Sequence, residues 1–170
     1  DGLVYTFHLR DGLKWSDGTP LTAQDFVYSI QRVLTPATAA QYVSMVTGYV
    51  KNAQEFYDGT ATAEDLGVKA IDDQTLEITL IQPTSYFIDV LSMWVYDPVQ
   101  QATVEANGDS WTSSPETYVC NGPFKVTGMS LNENVILEKN ENYWDAENVT
   151  LEKLTFRYIL DNSTALTAYE

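Results

Sequence analysis

One unbroken run, Lys14-Trp15-Ser16-Asp17-Gly18-Thr19-Pro20-Leu21-Thr22-Ala23-Gln24-Asp25-Phe26, constrains the fold of this chain more than any other stretch. It joins a turn, a helix cap and the first turn of an amphipathic helix. Asp17-Gly18 is suited to a tight turn, because glycine accepts a positive φ without steric cost. Pro20 keeps Thr19 extended. Thr22 is placed to be an N-cap, with Asp25 three residues on, where its carboxylate can reach back to the cap amide. Leu21 and Phe26 stand at the two positions of a hydrophobic staple around that cap.

The pattern on either side predicts an α+β chain. Val4–Arg10 is rich in β-formers, with Tyr5, Phe7 and Leu9 on one face. The capped helix is predicted from Thr22 to Leu34, with Phe26, Val27, Ile30, Val33 and Leu34 as its apolar stripe and Thr35-Pro36 as its stop. A weaker helix is predicted over 39–47. A short one, capped by Asn52 and Glu55, is predicted to end near Gly59.

Residues 67–71 and 74–80 then read as a hairpin about Asp72-Asp73. Leu76, Ile78 and Leu80 alternate there with Glu77 and Thr79, so one face is buried and the other wet. Tyr86, Phe87, Val90, Leu91 and Trp94 space as a helical stripe. Asp97-Pro98 reads as the cap and first position of a helix ending at Gly108. Three strands follow, about 124–126, 135–137 and 154–160, and Ser163-Thr164 is placed to cap a last helix.

The chain has 170 residues, enough to bury roughly 70% of its unfolded surface. Its 44% of hydrophobic residues can fill a core. Nine basic residues face 24 acidic ones, a formal net charge of −15. Such a chain repels phosphate and anionic lipid surfaces, which excludes nucleic-acid and anionic-membrane binders as classes. The acidity serves solubility, or draws a cationic ligand.

Catalytic chemistry finds little footing in these residues. His8 is the single histidine and stands on a strand without a local partner, which favours a structural role. Cys120 is the single cysteine, so no internal disulfide can form, and it reads as a small core residue. Neither Gly-rich phosphate-loop spacing is present, no metal-ligand spacing is present, and Asp72-Asp73 is a turn rather than a catalytic pair. The 11 Tyr and 4 Trp are more suggestive, since such rings grip ligands with a flat apolar face and, in Tyr, a polar tip. They also serve as core.

Tyr5-Thr6-Phe7-His8-Leu9-Arg10, Trp15-Ser16-Asp17-Gly18-Thr19-Pro20 and Thr22-Ala23-Gln24-Asp25-Phe26 together resemble the oligopeptide-binding proteins of bacterial ABC importers, the family 5 solute-binding proteins. The likeness continues in the same order through residues 65–73, Asn121-Gly122, Glu138-Lys139-Asn140 and Tyr143-Trp144. It implies the smaller lobe of a two-lobed, type II periplasmic-binding-protein-like fold, with a mixed or antiparallel sheet and packed helices. Residues 1–118 would form that lobe, and 119–170 the crossover strands and helix leading into the larger one. Neither end reads as a natural terminus, so a longer parent is expected.

The resemblance further implies a non-catalytic protein that captures oligopeptides and delivers them to a membrane permease. It would need no cofactor or metal. It would stand at the extracellular or periplasmic face of the cell membrane, as a lipoprotein held by a lipid anchor outside these residues. Tyr42, six residues after Pro36, matches the tyrosine of the smaller lobe that lines the peptide cleft. Gln41 stands before it where relatives carry proline. Alternatives are a same-family binder of a dipeptide, nickel complex, haem or sugar, a carboxylate-dependent hydrolase, and an adhesive surface domain.

Overall fold

The computed structural model describes residues 2–170. They separate into two compact units. Residues 2–13 and Pro20–Gln101 form the first, and Lys14–Thr19 with Ala102–Glu170 the second. The Lys14–Phe26 run is thus divided: its turn belongs to one unit and its helix to the other.

The first unit is built on a three-stranded antiparallel sheet, β1 (Val4–His8), β2 (Val68–Asp72) and β3 (Thr75–Thr79), in the order β1-β3-β2. Its register places Tyr5 opposite Ile78 and Phe7 opposite Leu76, so the alternation read from sequence lies on one inner face. Ile78 and Leu76 are buried, and Val68 beside Ile78 completes that face. The hairpin turn falls on Asp73-Gln74 rather than Asp72-Asp73. Asp72 ends β2 and its carboxylate accepts from the Gln74 N–H at 2.9 Å. A register shift between Ala70 and Asp72 leaves Ile71 exposed.

Helix α1 (Ala23–Val33) covers that face with buried Ala23, Val27 and Ile30. The Asp25 carboxylate accepts from the Thr22 N–H at 2.8 Å, the reciprocal half of the capping box. The Ala23 N–H finds its acceptor in the Asp73 carbonyl at 2.8 Å, so the hairpin turn satisfies one of the donors that a helix start leaves open. Leu34, Val46, Val50, Leu66, Phe87, Val95 and Tyr96 complete the same core.

Several local expectations differ from the structure for identifiable reasons. The helix expected over 39–47 shrinks to α2 (Ser44–Thr47): Ala39, left-handed at φ 50°, ends the preceding 3-10 turn, and residues 41–43 form turns. Helix α3 (Ala53–Tyr57) is present, but Asn52 does not cap it: Asn52 is left-handed at φ 57° and its amide donates to the Asp65 carbonyl at 2.7 Å. The stripe from Tyr86 to Trp94 is not one helix. Helix α4 (Phe87–Val90) buries Phe87 and Val90, and Trp94 opens a separate 3-10 turn (Trp94–Tyr96). Asp97-Pro98 does not start a helix: Asp97 closes the Trp94–Tyr96 turn, and α5 starts at Gln101 and runs to Asn107.

In the second unit, β4 (Phe124–Ser130), β5 (Asn134–Lys139) and β6 (Lys153–Arg157) form an antiparallel sheet in chain order. The last strand is shorter than the alternation to Leu160 suggests. Asp161, rather than Ser163-Thr164, caps α6 (Asn162–Tyr169), its carboxylate accepting from the Thr164 N–H at 2.8 Å. Cys120 is half-buried rather than a core residue, and its thiol donates to the Phe124 carbonyl at 3.3 Å.

The signature blocks divide between the units: Tyr5–Arg10, Thr22–Phe26 and 65–73 lie in the first, and Trp15–Thr19, Asn121-Gly122, Glu138–Asn140 and Tyr143-Trp144 in the second. Trp15 is buried, and the Asp17-Gly18 turn closes back on it through the Gly18 N–H to the Trp15 carbonyl, 2.9 Å. Gly18 adopts φ +87°, as the turn requires. Ser16 donates its N–H to Cys120 and accepts at its carbonyl from the Asn142 amide. Fully buried Asn140 donates to the Gly122 carbonyl at 2.8 Å and accepts from the Asn142 N–H at 3.1 Å. The side chains of Asn140 and Asn142 and the Gly18 turn thus serve backbone hydrogen bonding.

Candidate functional site

The first unit presents two aromatic pairs, each spanning the same two segments; Tyr42, Trp94 and Tyr86 are exposed and Tyr49 is half-buried. Tyr42 and Trp94 meet edge to face, with ring centroids 5.1 Å apart and planes at 88°. Tyr49 and Tyr86 repeat that arrangement at 6.2 Å and 88°. The pairing 42 with 94 and 49 with 86 means that the two segments run antiparallel. Edge-to-face contact is the favoured geometry for rings whose faces are electron-rich and whose edges are electron-poor.

Local sequence sets each position. Thr35-Pro36 ends α1, a 3-10 turn covers Pro36–Thr38, and Ala39 turns the chain, bringing Tyr42 to the start of α2. The Tyr42 carbonyl then accepts from the Met45 N–H at 2.9 Å, which ties its backbone to that helix. On the facing segment, extended Met93 (φ −74°, ψ 134°) precedes the Trp94–Tyr96 turn.

Tyr96 is the anchor between the segments. It is buried, its hydroxyl donates to the Met45 carbonyl at 2.7 Å, and its ring meets Phe87 at right angles, 6.2 Å away. Burial holds its phenol well above the ordinary range, so it stays a neutral donor. A hydrogen bond with Tyr86, helped by burial, raises the Tyr49 phenol as well. An apolar cavity of about 160 Å³ lies in this unit, lined by Phe7, Leu9, Phe26, Ile30, Leu76 and Tyr96 among others.

Tyr42, the site residue expected from sequence, is therefore 39% exposed beside Trp94. Spacing places Trp94 on an apolar helical stripe; the structure leaves it 63% exposed. The spacing of Phe87 and Val90 did signal burial, but the break after α4 turns Trp94 away from that stripe.

The neighbourhood is nearly uncharged. Residues 33–50 carry no charged side chain, and residues 78–101 carry only Asp89 and Asp97. His8 is exposed on β1. No group of three or more His, Cys, Asp or Glu able to hold a metal ion occurs among the described residues, nor is any helix there long and apolar enough to cross a membrane. Exposed aromatic faces of this kind suit the binding of a ligand.

Comparison with known proteins gives a consistent result. The family model described as bacterial extracellular solute-binding proteins, family 5 Middle, matches residues 1–170. The periplasmic oligopeptide-binding protein OppA of Salmonella typhimurium is 43% identical over 170 residues, covering 99% of this chain and 31% of that protein. A crystal structure of a periplasmic oligopeptide-binding protein from Borrelia burgdorferi superposes with a TM-score of 0.95 at 44% identity, over 99% of this chain and 34% of that one. The Haemophilus influenzae OppA in complex with the peptide RPPGFSPFR gives 0.93 at 38% identity, over 99% and 33%. The chain thus spans about a third of the length of the curated relatives it matches.

Proposed function

This chain belongs to the bacterial extracellular solute-binding proteins of family 5, and from that premise we propose that it is part of the substrate-binding component of an ABC importer. The complete protein captures oligopeptides between two lobes and passes them to a membrane permease. The observation that carries this reading is the match, along the whole chain, to proteins named for oligopeptide binding.

Residues 1–118 supply the smaller lobe, and 119–170 lead into the larger one. Tyr42 contacts the ligand. A peptide backbone is the same whatever its sequence, so pairing with its amides and carbonyls gives affinity while roomy pockets tolerate varied side chains. Two lobes closing on the peptide bury it and give the permease one shape to recognise. The protein works outside the cytoplasmic membrane, held there by a lipid anchor.

Native mass spectrometry of the complete protein, purified without added ligand, tests the reading. Co-purified peptides are expected; a carbohydrate or a metal complex in their place overturns it. One lobe alone offers half a cleft. Calorimetry of the 170-residue chain with a peptide mixture is expected to show no micromolar binding, and such binding would overturn the two-lobe argument.

A further inference from the structure

We propose that Trp94 is a specificity-determining residue of the ligand site, its exposed indole receiving a large apolar or aromatic side chain of the bound peptide. The inference rests on the peptide reading above and adds to it a residue and a preference.

Trp94 is 63% exposed, although tryptophan is among the side chains with most to gain from burial. Its exposure is held in place. The turn Trp94–Tyr96 is fixed from behind by buried Tyr96, whose hydroxyl donates to the Met45 carbonyl three residues beyond Tyr42. From the side, Tyr42 packs edge-on at 5.1 Å. An aromatic surface fixed in this way loses little conformational entropy when a ligand covers it. It is also continuous with the one residue assigned to ligand contact, so a peptide lying against Tyr42 brings one of its side chains to Trp94.

Charge narrows the occupant. Residues 33–50 carry no charged side chain, and 78–101 hold no Lys or Arg. An acidic ligand side chain would meet no cation on either segment, and would lose water without gaining a partner. A large apolar side chain gains area against the indole and, if aromatic, the edge-to-face term as well.

Calorimetry on the complete protein tests this with alanine pentapeptides in which a single Phe, Leu or Glu is moved through each position. Wild type is expected to bind the best-placed Phe peptide roughly 5–10-fold tighter than the all-alanine peptide. Trp94→Ala is expected to weaken binding of every peptide but to bring the Phe-over-alanine affinity ratio close to one, and Trp94→Phe to retain most of that ratio. A preference that survives Trp94→Ala, or an equal loss for every peptide, overturns the role of Trp94 alone. A wild type that binds none of the peptides overturns the peptide reading and this assignment with it.

Discussion

Ser16 and Cys120, 104 residues apart, exchange two hydrogen bonds: the Ser16 N–H donates to the Cys120 carbonyl at 2.7 Å, and the Cys120 N–H donates to the Ser16 hydroxyl at 3.2 Å. The second is possible because a hydroxyl accepts as well as donates. This clasp joins the turn of the Lys14–Phe26 run to the segment that enters β4. It accounts for a serine in a motif that has no catalytic base beside it.

Asn140 works in the same clasp and should be the more costly residue to lose. It is fully buried, and its side chain serves both the Gly122 carbonyl and the Asn142 N–H. Asn140→Ala strands both, and is expected to cost about 1–3 kcal/mol. Urea denaturation followed by fluorescence measures it; a loss below the measurement error would contradict the role assigned to the amide.

Two glycines of the family pattern are expected to behave in opposite ways. A Cβ on Gly67 would lie 2.6 Å from the Thr79 carbonyl oxygen and 3.0 Å from that of Lys51, both backbone atoms already bonded across this point. Gly67→Ala is expected to cost roughly 1–3 kcal/mol. Gly122 has nothing within 4 Å of such a Cβ and no positive φ, so Gly122→Ala should stay within about 0.5 kcal/mol. Paired thermal melts decide between them.

Phe87 links the core to the aromatic site, touching Tyr5, Tyr49 and Tyr96 while fully buried. Phe87→Ala is expected to cost about 3–5 kcal/mol. Phe87→Leu should recover much of that, because it leaves a smaller cavity. Chemical denaturation of both variants shows whether the loss follows cavity size.

Burial pushes the Asp97 carboxyl above its ordinary value of 3.8. The folded chain therefore holds this proton more tightly than the unfolded chain. The contribution is unfavourable at neutral pH and is relieved as pH falls through the raised folded value toward 3.8. Asp97→Asn is expected to raise Tm at pH 7 by roughly 1–2 °C, a small gain because much of the group remains in solvent. The gain should shrink toward zero below pH 4 or so. A Tm difference independent of pH would show that charge burial is not its source.

Local signals were most legible where a single segment decides the outcome. Thr22 and Asp25 announced the start of α1 because a capping box lies within four residues. Leu76 and Ile78 announced a half-buried strand because its period is two. Two of the misread caps lost their side chain or their place to other structure. Asn52 and Asp97 carry the right side chains beside plausible helices, but the Asp65 carbonyl took the Asn52 amide, and Asp97 closes the preceding 3-10 turn through its backbone N–H. Trp94 failed in the same way, since helical spacing cannot reveal a break that packing imposes.

The sequence by itself determined the strands and α1, the absence of catalytic and phosphate-binding motifs, and, through the blocks that carry the resemblance, the family. Caps, alternation and composition act over a few residues and need no knowledge of the rest. Tertiary structure alone decided that Tyr42 faces Trp94, that Gly67 lies between two backbones, and that Ser16, Cys120, Asn140 and Asn142 share one network. Those relations join residues as many as 126 positions apart. Only the folded backbone sets such distances, because a hydrogen bond or ring contact forms within a few ångströms whatever the separation along the chain.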